Sequence, residues 1–351
     1  MKVGIVGFAG SGKTTVFNTL TGLQAEVGYG SKDKANLGII KVPDSRIDRL
    51  GELYEPKKLV FAEISFIDIA GPEGERAHNE QGLEPRIVQH MREADALVHV
   101  IRAFESPLLS SSPDPVRDLA GFEEELILTD LVQVEKRIER LKKERDSQRE
   151  RDLMDRCHAH LLSEQPLRTL EFTPEERTTV AGFRFLSLKP LLLLLNVNED
   201  GIAGGVPPAT ADAAAARGLD IIAMCGRAEM DISQLTPEEQ AEFLSDLGIA
   251  EPARDRFVQA AYRLLNLISF LTAGPDECRA WPIPAGTTAH RAAGTIHTDI
   301  EKRFIKANVV RFEDLMEFGS VPKAKEHGKL RIEGKEYVVQ DGDVIEFQHN
   351  A

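Results

Sequence analysis

Apolar residues in this chain form short continuous runs that are typical of buried strands. The first run is Lys2 to Val6, and comparable runs follow at 59–71, 96–101, 183–195 and 219–224. Polar or helix-periodic segments separate them. An alternation of buried strands and helices predicts an α/β fold with a mostly parallel sheet.

A helical pattern of a different kind begins at Phe122. Leucine, isoleucine and valine recur there about every 3.5 residues, and charged residues crowd the other face. A second helical segment covers 152–162, and we expect 105–118, which holds three prolines and four serines, to be a loop. Together these features predict an antiparallel helical (coiled-coil) hairpin inserted into the α/β domain.

Short strands and tight turns set the C-terminal region apart. Residues 236–271 have the pattern of two helices, whereas the tail beyond them has short apolar runs separated by Pro-Ala-Gly, Glu-Gly-Lys and Asp-Gly-Asp. We therefore expect an α/β domain over 1–120 and 183–272, a helical insertion over 121–182, and a small α+β domain over 273–351.

Composition narrows the class of protein. The 351 residues are 42% hydrophobic and 28% charged, which is ordinary for a globular protein. The 57 acidic and 43 basic residues give a net charge of −14, so a DNA-coating protein is not expected. The three cysteines lie far apart, which indicates a reducing compartment, and no apolar run is long enough to span a bilayer. Because the first strand begins at residue 2, we expect no signal peptide and a cytoplasmic protein without a membrane partner.

The octet Gly7-Phe8-Ala9-Gly10-Ser11-Gly12-Lys13-Thr14 carries the strongest chemical signal. Its G-x-x-x-x-G-K-T spacing, between a strand and a helix, defines the phosphate-binding P-loop. Lys13 is expected to reach the β- and γ-phosphates, and the Thr14 hydroxyl to bind Mg²⁺. Backbone N–H groups of the turn and of the helix N-terminus complete the cradle. The predicted phosphate-binding residues are Gly10, Ser11, Gly12, Lys13, Thr14 and Thr15.

Asp68 and Gly71 form a D-x-x-G motif at the end of the second apolar run. In switch nucleotidases the aspartate lies on the Mg²⁺ side and the glycine senses the γ-phosphate, so Asp68 is a predicted metal ligand and Gly71 a predicted catalytic residue beside Lys13. Residues 22–38 correspond in position to switch I, where Ser31, Lys32 and Lys34 either approach the phosphates or belong to a solvated loop. His99 is expected to be a packed imidazole.

The run that ends at Asn196-Val197-Asn198-Glu199 has the form of a nucleobase reader. The usual guanine reader is N-K-x-D, but Glu199 is one methylene longer than Asp and Val197 replaces the stacking lysine. A longer carboxylate crowds the 2-amino group of guanine, which makes adenine acceptable, so we expect ATP or GTP as substrate. A second loop at the base is predicted from the next strand. The predicted base-site residues are Asn196, Val197, Glu199, Cys225, Gly226 and Arg227.

With these motifs in place, the whole chain resembles the YchF subfamily of Obg-related P-loop nucleotidases. The matches are Asp68-Ile69-Ala70-Gly71, the segments 125–131 and 134–137, Asn196 to Glu199, and the C-terminal blocks 270–275, 279–281, 292–299 and 340–345. The resemblance implies a nucleotide-binding G-domain that prefers or accepts ATP, a coiled-coil arm and a ubiquitin-like β-grasp (TGS) domain. It also implies association with ribosomes and a regulatory role in translation.

Several positions depart from the family pattern. Gly10 stands where the family has an asparagine linked to potassium binding, which leaves potassium dependence open. Pro72 follows the D-x-x-G motif, where Ras-like enzymes place a water-orienting glutamine. The family histidine after R-x-F is missing, since no histidine occurs between Ile101 and Cys157, and His78 is the nearest substitute. The binding site is therefore better preserved than the hydrolytic machinery.

Two functions remain open from the sequence. The first is a slow Mg²⁺-dependent ATPase/GTPase that resets a ribosome-associated switch, and the second is a nucleotide-binding adaptor with little hydrolysis. A small-molecule kinase is disfavoured by the base-reading motif and the C-terminal blocks. Basic residues such as Lys136, Arg137 and Arg140 could meet RNA phosphates, but Glu135 and Glu139 are interleaved with them. A solvated helix face is therefore the default, and RNA binding rests on the resemblance.

Overall fold

The computed structural model of the chain describes residues 1–23, 36–69, 83–107, 109, 111–144, 148–202, 204–232, 235–246 and 252–350. The chain divides into two compact units. Unit 1 comprises Met1–Ile39 and Ser65–Phe257, and unit 2 comprises Ile40–Ile64 and Val258–Ala351.

The strands of the described residues are β1 (Lys2–Val6), β2 (Asn36–Lys41), β3 (Leu59–Val60), β4 (Glu63–Asp68), β5 (Ala96–Ala103), β6 (Leu191–Val197), β7 (Ile221–Met224), β8 (Leu267–Ala273), β9 (Cys278–Pro284), β10 (Phe304–Arg311), β11 (Arg331–Glu333) and β12 (Asp343–His349). The helices are α1 (Lys13–Thr21), α2 (Ser45–Tyr54), α3 (Pro85–Glu93), α4 (Pro115–Leu141), α5 (Gln148–Leu162), α6 (Pro174–Ala181), α7 (Pro208–Ala215), α8 (Gly226–Ile232), α9 (Pro237–Asp246), α10 (Ala253–Leu264), α11 (Ala289–Ile296), α12 (Thr298–Lys302), α13 (Phe312–Phe318) and α14 (Val321–Glu326). Short 3-10 turns cover Leu167–Thr169 and Glu199–Gly201.

The sheet of unit 1 has the order β2-β4-β1-β5-β6-β7. Parallel pairs join β1 to β4 and β5, β5 to β6, and β6 to β7, which confirms the predicted mostly parallel sheet. Since β1 is central and its neighbours run in the same direction, the carboxyl ends of β1, β4 and β6 meet along one edge. Ligands of open α/β sheets bind at that edge, and it is where the P-loop, Asp68 and Asn196 lie.

The helical part of unit 1 has its own apolar core. Residues of α4, α5, α6 and the segment leading to β6 form a buried cluster that includes Val134, Met154, Leu161 and Phe185. Helix α4 begins at Pro115, not near Phe122 as the sequence indicated. Asp114 accepts a hydrogen bond from the Arg117 N–H at 3.1 Å, and proline suits the first helical turn because its missing N–H is not needed there.

Three other element boundaries differ from the prediction. Strand β6 begins at Leu191, and the residues from Phe183 to Pro190 form turns, so the predicted strand over 183–195 was too long at its start. The run at 59–71 is divided into β3 and β4. Leu267 and Ile268 belong to β8, not to a helix. A continuous apolar run does not distinguish a strand from buried turns or helix.

Unit 2 contains a mixed sheet of order β11-β10-β12-β8-β9-β3, with α11 packed on its core. Strands β8 and β9 form an antiparallel pair, and β12 runs parallel to β8, as expected of a β-grasp domain. Strand β3 pairs in parallel with β9 through Leu59↔Cys278 and Val60↔Arg279. Residues 40–64 therefore group with the C-terminal strands in unit 2, whose second segment starts at Val258. The sequence analysis placed 40–64 with the nucleotide-binding domain and started the C-terminal domain at 273, and those three domain boundaries stay a prediction.

An ion pair also holds residues 40–64 within unit 2. The Arg46 Nη1 donates to Asp341 Oδ2 at 2.7 Å, and the Asp341 Oδ1 accepts from the Ser269 N–H at 2.8 Å. Asp343 is 1% exposed and accepts from Arg331, Tyr337 and the Gln340 N–H. Part of the C-terminal block 340–345 is thus structural.

Among the described helices, none has both the length and the apolar character of a membrane span.

Candidate functional site

The P-loop connects β1 to α1 through glycines that the geometry requires. Gly12 has φ 85°, which places it in the left-handed region where side chains are strained. A Cβ at Gly12 would also overlap the Asn196 amide. Gly10 has φ 76°, and a Cβ there would come within 2.5 Å of Leu109 Cδ1. The asparagine typical of the family at this position would therefore require the Leu109 side chain to shift.

Lys13 begins α1 and is buried. Its ammonium group donates to the Phe8 carbonyl at 3.0 Å, so the side chain curls back along the loop. Burial lowers the pKa of Lys13 to about 8, and the nearby Asp68 carboxylate opposes that shift. A buried ammonium group with one carbonyl partner among the described residues is poised to gain from an anionic ligand.

Thr14 and Asp68 meet beside Lys13, as the two motifs predicted. The Thr14 hydroxyl donates to Asp68 Oδ2 at 3.1 Å, and Asp68 Oδ1 is buried without a hydrogen-bond partner among the described residues. Burial raises the pKa of Asp68, while Thr14, Lys13 and a hydrogen bond from Asn36 lower it. A hydroxyl and an orphaned carboxylate oxygen side by side fit a hard cation such as Mg²⁺. No larger cluster of metal-ligating side chains occurs among the described residues.

Asn196 lies at the end of β6 and is 5% exposed. Its Nδ2 donates to the Ser11 carbonyl at 3.0 Å, and its Oδ1 accepts from the Gly226 N–H at 3.3 Å. One amide therefore ties the P-loop to the loop after β7. The structure gives Asn196 the role of joining two loops of the site, which the strand-end motif alone did not indicate.

The other predicted base-site residues divide into buried and exposed groups. Val197 is 6% exposed and packs in the apolar core of the sheet, not on the open loop. Cys225 is buried, and its Sγ accepts from the Ala228 N–H at 3.5 Å at the start of α8. Glu199 and Arg227 are exposed, one after β6 and the other after β7, which are neighbouring strands. The exposed carboxylate and guanidinium are the groups available to a ligand.

Three residues of the site were missed by the sequence analysis. Thr19 of α1 donates to the Gly226 carbonyl at 2.8 Å, which adds a second tie between α1 and the β7 loop. Asn36 lies near enough to Asp68 to help lower the pKa of its carboxyl. Leu109 lies against Gly10. No local pattern marks these residues, because each contact joins distant parts of the chain.

Several predicted residues lie outside the described part of the chain. They are Gly71, Pro72, His78 and the switch I residues Ser31, Lys32 and Lys34. Their roles stay predictions from the sequence.

His99 lies behind the P-loop on β5 and is fully buried. Its ring stacks on Phe122 with centroids 4.1 Å apart, and the edge of Phe8 approaches it at 6.0 Å. Neither ring nitrogen has a hydrogen-bond partner among the described residues. Burial, with a smaller contribution from Lys13, lowers the pKa of His99 to about 3. The imidazole is a neutral packing group, as expected, and cannot serve as an exposed base.

We expect His99→Phe to make unfolding less sensitive to acid. Between the unfolded pKa of 6.5 and the folded value of about 3, the unfolded chain binds a proton that the folded chain does not. Wild-type stability therefore falls as pH drops below 6.5, by about 1.4 kcal/mol per pH unit for this group. Urea unfolding at pH 7.5 and 4.5 measures the difference, about 2–3 kcal/mol.

The exposed His349 offers a control for that experiment, because His349→Phe should lose as much stability on acidification as the wild type. Equal losses in all three proteins would show that His99 takes up a proton in the folded state.

Two family models match the chain. A model described as a 50S ribosome-binding GTPase matches residues 2–134. A model for the C-terminal domain of YchF GTPases, described as a protein of unknown function, matches residues 267–350. Each match falls on a separate part of the chain, one with the P-loop and one with the strands that follow α10.

Full-length relatives extend the match to the whole chain. The ribosome-binding ATPase YchF of Bacillus subtilis (strain 168) is 40% identical over 366 aligned positions, covering 100% of both chains. The ribosome-binding ATPase YchF of Escherichia coli O157:H7 is 38% identical, covering 100% of this chain and 99% of the relative. The structure of the Schizosaccharomyces pombe YchF GTPase superposes with a TM-score of 0.88 at 30% identity, covering 99% of this chain and 97% of that one. These matches confirm the resemblance found in the sequence.

Proposed function

This chain belongs to the YchF family, and we propose that it is a slow, Mg²⁺-dependent purine nucleoside triphosphatase that acts as a ribosome-associated switch. The observation that carries the proposal is the convergence of three elements at one sheet edge. Lys13 lies in the P-loop, Asp68 contacts Thr14 at 3.1 Å, and Asn196 holds the P-loop against the β7 loop. The proposed phosphate site in the P-loop therefore lies next to Asp68, the proposed metal ligand, and next to the loops that would hold the base.

The phosphate end of the site works by charge and by donor geometry. Lys13 exchanges the single Phe8 carbonyl for phosphate oxygens, and the N–H groups that begin α1 point toward the same place. Thr14 and Asp68 would hold Mg²⁺, which neutralises phosphate charge when bound. Positioning and charge neutralisation are most of what phosphoryl transfer requires from the protein.

We infer slow turnover from the residues at two positions of the site. Pro72 occupies the sequence position of the water-orienting glutamine, and His99 is buried and neutral at physiological pH. A water molecule therefore has no obvious orienting side chain among the described residues. This observation favours the second candidate, a nucleotide-binding adaptor that barely hydrolyses, unless a partner supplies the missing group.

Single-turnover hydrolysis of ATP, with and without purified ribosomes, separates the two candidates. The switch predicts phosphate release that ribosomes accelerate by at least about tenfold, which corresponds to about 1.4 kcal/mol of barrier. Absence of ribosome-stimulated release would leave only the adaptor.

Glu199→Asp should change the base preference. We propose that the exposed Glu199 carboxylate reaches the base edge and that its extra methylene crowds the guanine 2-amino group. Shortening it relieves the clash, so the ratio of GTP to ATP affinity should rise by about tenfold, the worth of one good hydrogen bond to a charged group. Calorimetric titration of both nucleotides gives the ratio.

The neighbouring acidic residue Asp200 provides the control. Asp200→Asn changes the charge of the same 3-10 turn, and should leave the ratio unchanged. If Glu199→Asp also leaves it unchanged, the carboxylate does not read the base.

A further inference from the structure

A basic groove lies between α3, α4 and Phe183 within unit 1. Its lining residues are not those of the nucleotide site. It encloses about 260 Å³, and its walls include Arg92, Gln133, Lys136, Arg137, Arg140 and Phe183. We call it the α4 groove. No carboxylate lines it among the residues that the structure describes.

The structure separates charges that the sequence interleaves. Gln133, Lys136, Arg137 and Arg140 are spaced three and four apart, so they share one face of α4. The acidic residues between them have partners elsewhere: Glu135 pairs with His158 at 3.4 Å, and Glu139 pairs with Lys142 at 2.5 Å. The groove is thus a locally cationic surface on a chain whose net charge is −14.

Two of the cations are unpaired and two are anchored. Lys136 and Arg140 are exposed and have no ion-pair partner in the described part of the chain. Arg137 is bound to Glu150 at 2.7 Å and to Glu144 at 2.9 Å, which largely neutralises it. Arg92 donates to Gln133 Oε1 at 2.6 Å. A hydrogen bond to a neutral amide leaves the charge of Arg92 in place, so Lys136, Arg140 and Arg92 supply most of the charge that a ligand would meet.

The floor of the groove is aromatic and fixed. Phe183 is half-buried, and one face of its ring stacks on Phe185 with an interplanar angle of 7° and a centroid distance of 5.2 Å. Gln133 Nε2 donates to the Phe183 carbonyl at 2.9 Å, so the residue that orients Arg92 also holds Phe183. Val132, which is 48% exposed, extends the apolar floor.

An aromatic floor with cations at its rim has the chemistry of a single-stranded nucleic-acid site, in which bases stack on rings and phosphates meet Lys and Arg. The cavity is smaller than the ~300–1,000 Å³ of whole small-molecule sites, which favours a short segment of a polymer that crosses the surface. We propose that the α4 groove binds single-stranded RNA, with a base on Phe183 and phosphates at Lys136 and Arg140. The inference rests on the proposed function, since it names the surface and the chemistry of a ribosomal partner.

The test uses the full chain and a fluorescein-labelled 12-nucleotide oligoadenylate RNA, with binding followed by anisotropy over a range of salt concentrations. Lys136→Ala/Arg140→Ala should weaken binding roughly tenfold and reduce the salt slope by about 1.4, because each phosphate contact on a single strand contributes about 0.7. Phe183→Leu keeps an apolar floor but removes the ring, and should weaken binding by about fivefold or more. Phe183→Leu should leave binding of a 12-base-pair RNA duplex unchanged, because stacked bases cannot reach the ring.

A matched control removes the same charge from the same helix end outside the groove. Lys142→Ala/Lys143→Ala should retain wild-type affinity, since neither side chain lines the groove. Equal weakening in the two double variants would overturn the proposal and indicate unspecific charge attraction. The proposal is also overturned if the wild type does not bind the oligonucleotide, or if polyglutamate binds with the same dependence on Lys136, Arg140 and Phe183.

ATP affinity, measured on the same preparations, keeps this inference distinct from the proposed function. The groove variants should bind ATP like the wild type, because none of these residues contacts the P-loop. If the wild type bound RNA through the groove but did not bind ATP, the proposed function would fail while the groove assignment held.

Discussion

Replacing Lys13 by alanine will reduce ATP affinity by at least about 100-fold. Under the proposed function the lysine would supply charge-assisted hydrogen bonds to two phosphates, each worth roughly 1.5–3 kcal/mol, and a tenfold change in affinity corresponds to about 1.4 kcal/mol. The loss should appear as absent heat in a calorimetric titration at concentrations that saturate the wild type.

The same substitution should not destabilise the ligand-free protein. Burial lowers the pKa of Lys13 to about 8, which means that the folded chain holds this ammonium group at a cost. The unliganded Lys13→Ala protein is expected to melt at the wild-type temperature or above it. Lys57→Ala removes an exposed lysine that pairs with exposed Asp276, and should change neither property. Retained ATP binding by Lys13→Ala would refute the phosphate cradle.

Asn196→Ala is expected to have the second largest effect, on both stability and affinity. It leaves the buried Ser11 carbonyl and Gly226 N–H without partners, at about 1–3 kcal/mol each. We expect a loss of about 2–4 kcal/mol in the free energy of unfolding and at least about tenfold in ATP affinity, because the two loops lose their tie. Urea unfolding of the unliganded protein, followed by titration with ATP, measures both.

Asn198 is the matched control for this experiment. Its side chain is exposed and accepts from the Gly201 N–H at 3.1 Å, so Asn198→Ala should cost about 1 kcal/mol or less. The bridging role of Asn196 is wrong if the two variants unfold at the same urea concentration.

The sequence predicted those parts of the site that a short stretch of neighbouring residues specifies. Strand β1, the P-loop and α1 follow one another without a break, so the motif and its context could be interpreted together. Asp68 and Asn196 were identified because each ends a buried strand, and parallel strands bring such ends to one edge.

What the sequence did not predict depends on contacts between distant residues. Asn196 and its partner Ser11 are 185 positions apart, so the strand-end motif did not show that this amide joins two loops. Leu59 and Val60 join β9 across more than 200 positions, and two residues form too short a strand to carry a pattern. The proline signal before α4 was ambiguous, because Pro115 both ends a loop and begins a helix.

The charges along α4 are another feature that the sequence alone did not resolve. In the sequence the basic residues alternate with Glu135 and Glu139, which favoured the interpretation of a solvated helix face. In the structure neither glutamate lines the groove, and each pairs with another residue, Glu135 with His158 and Glu139 with Lys142. Helical phase alone did not suffice, since it does not show which neighbours a long side chain reaches.

The central claim is that a nucleoside triphosphate binds with its phosphates in the Gly7–Thr14 loop and its base beside Glu199 and Arg227. A crystal structure of the full chain soaked with a non-hydrolysable ATP analogue and Mg²⁺ tests it most directly. The claim predicts phosphate oxygens within hydrogen-bond distance of Lys13 Nζ and the adenine ring next to the loops that follow β6 and β7. An empty loop, with Lys13 still bound to the Phe8 carbonyl, or an analogue bound elsewhere on the chain would contradict it.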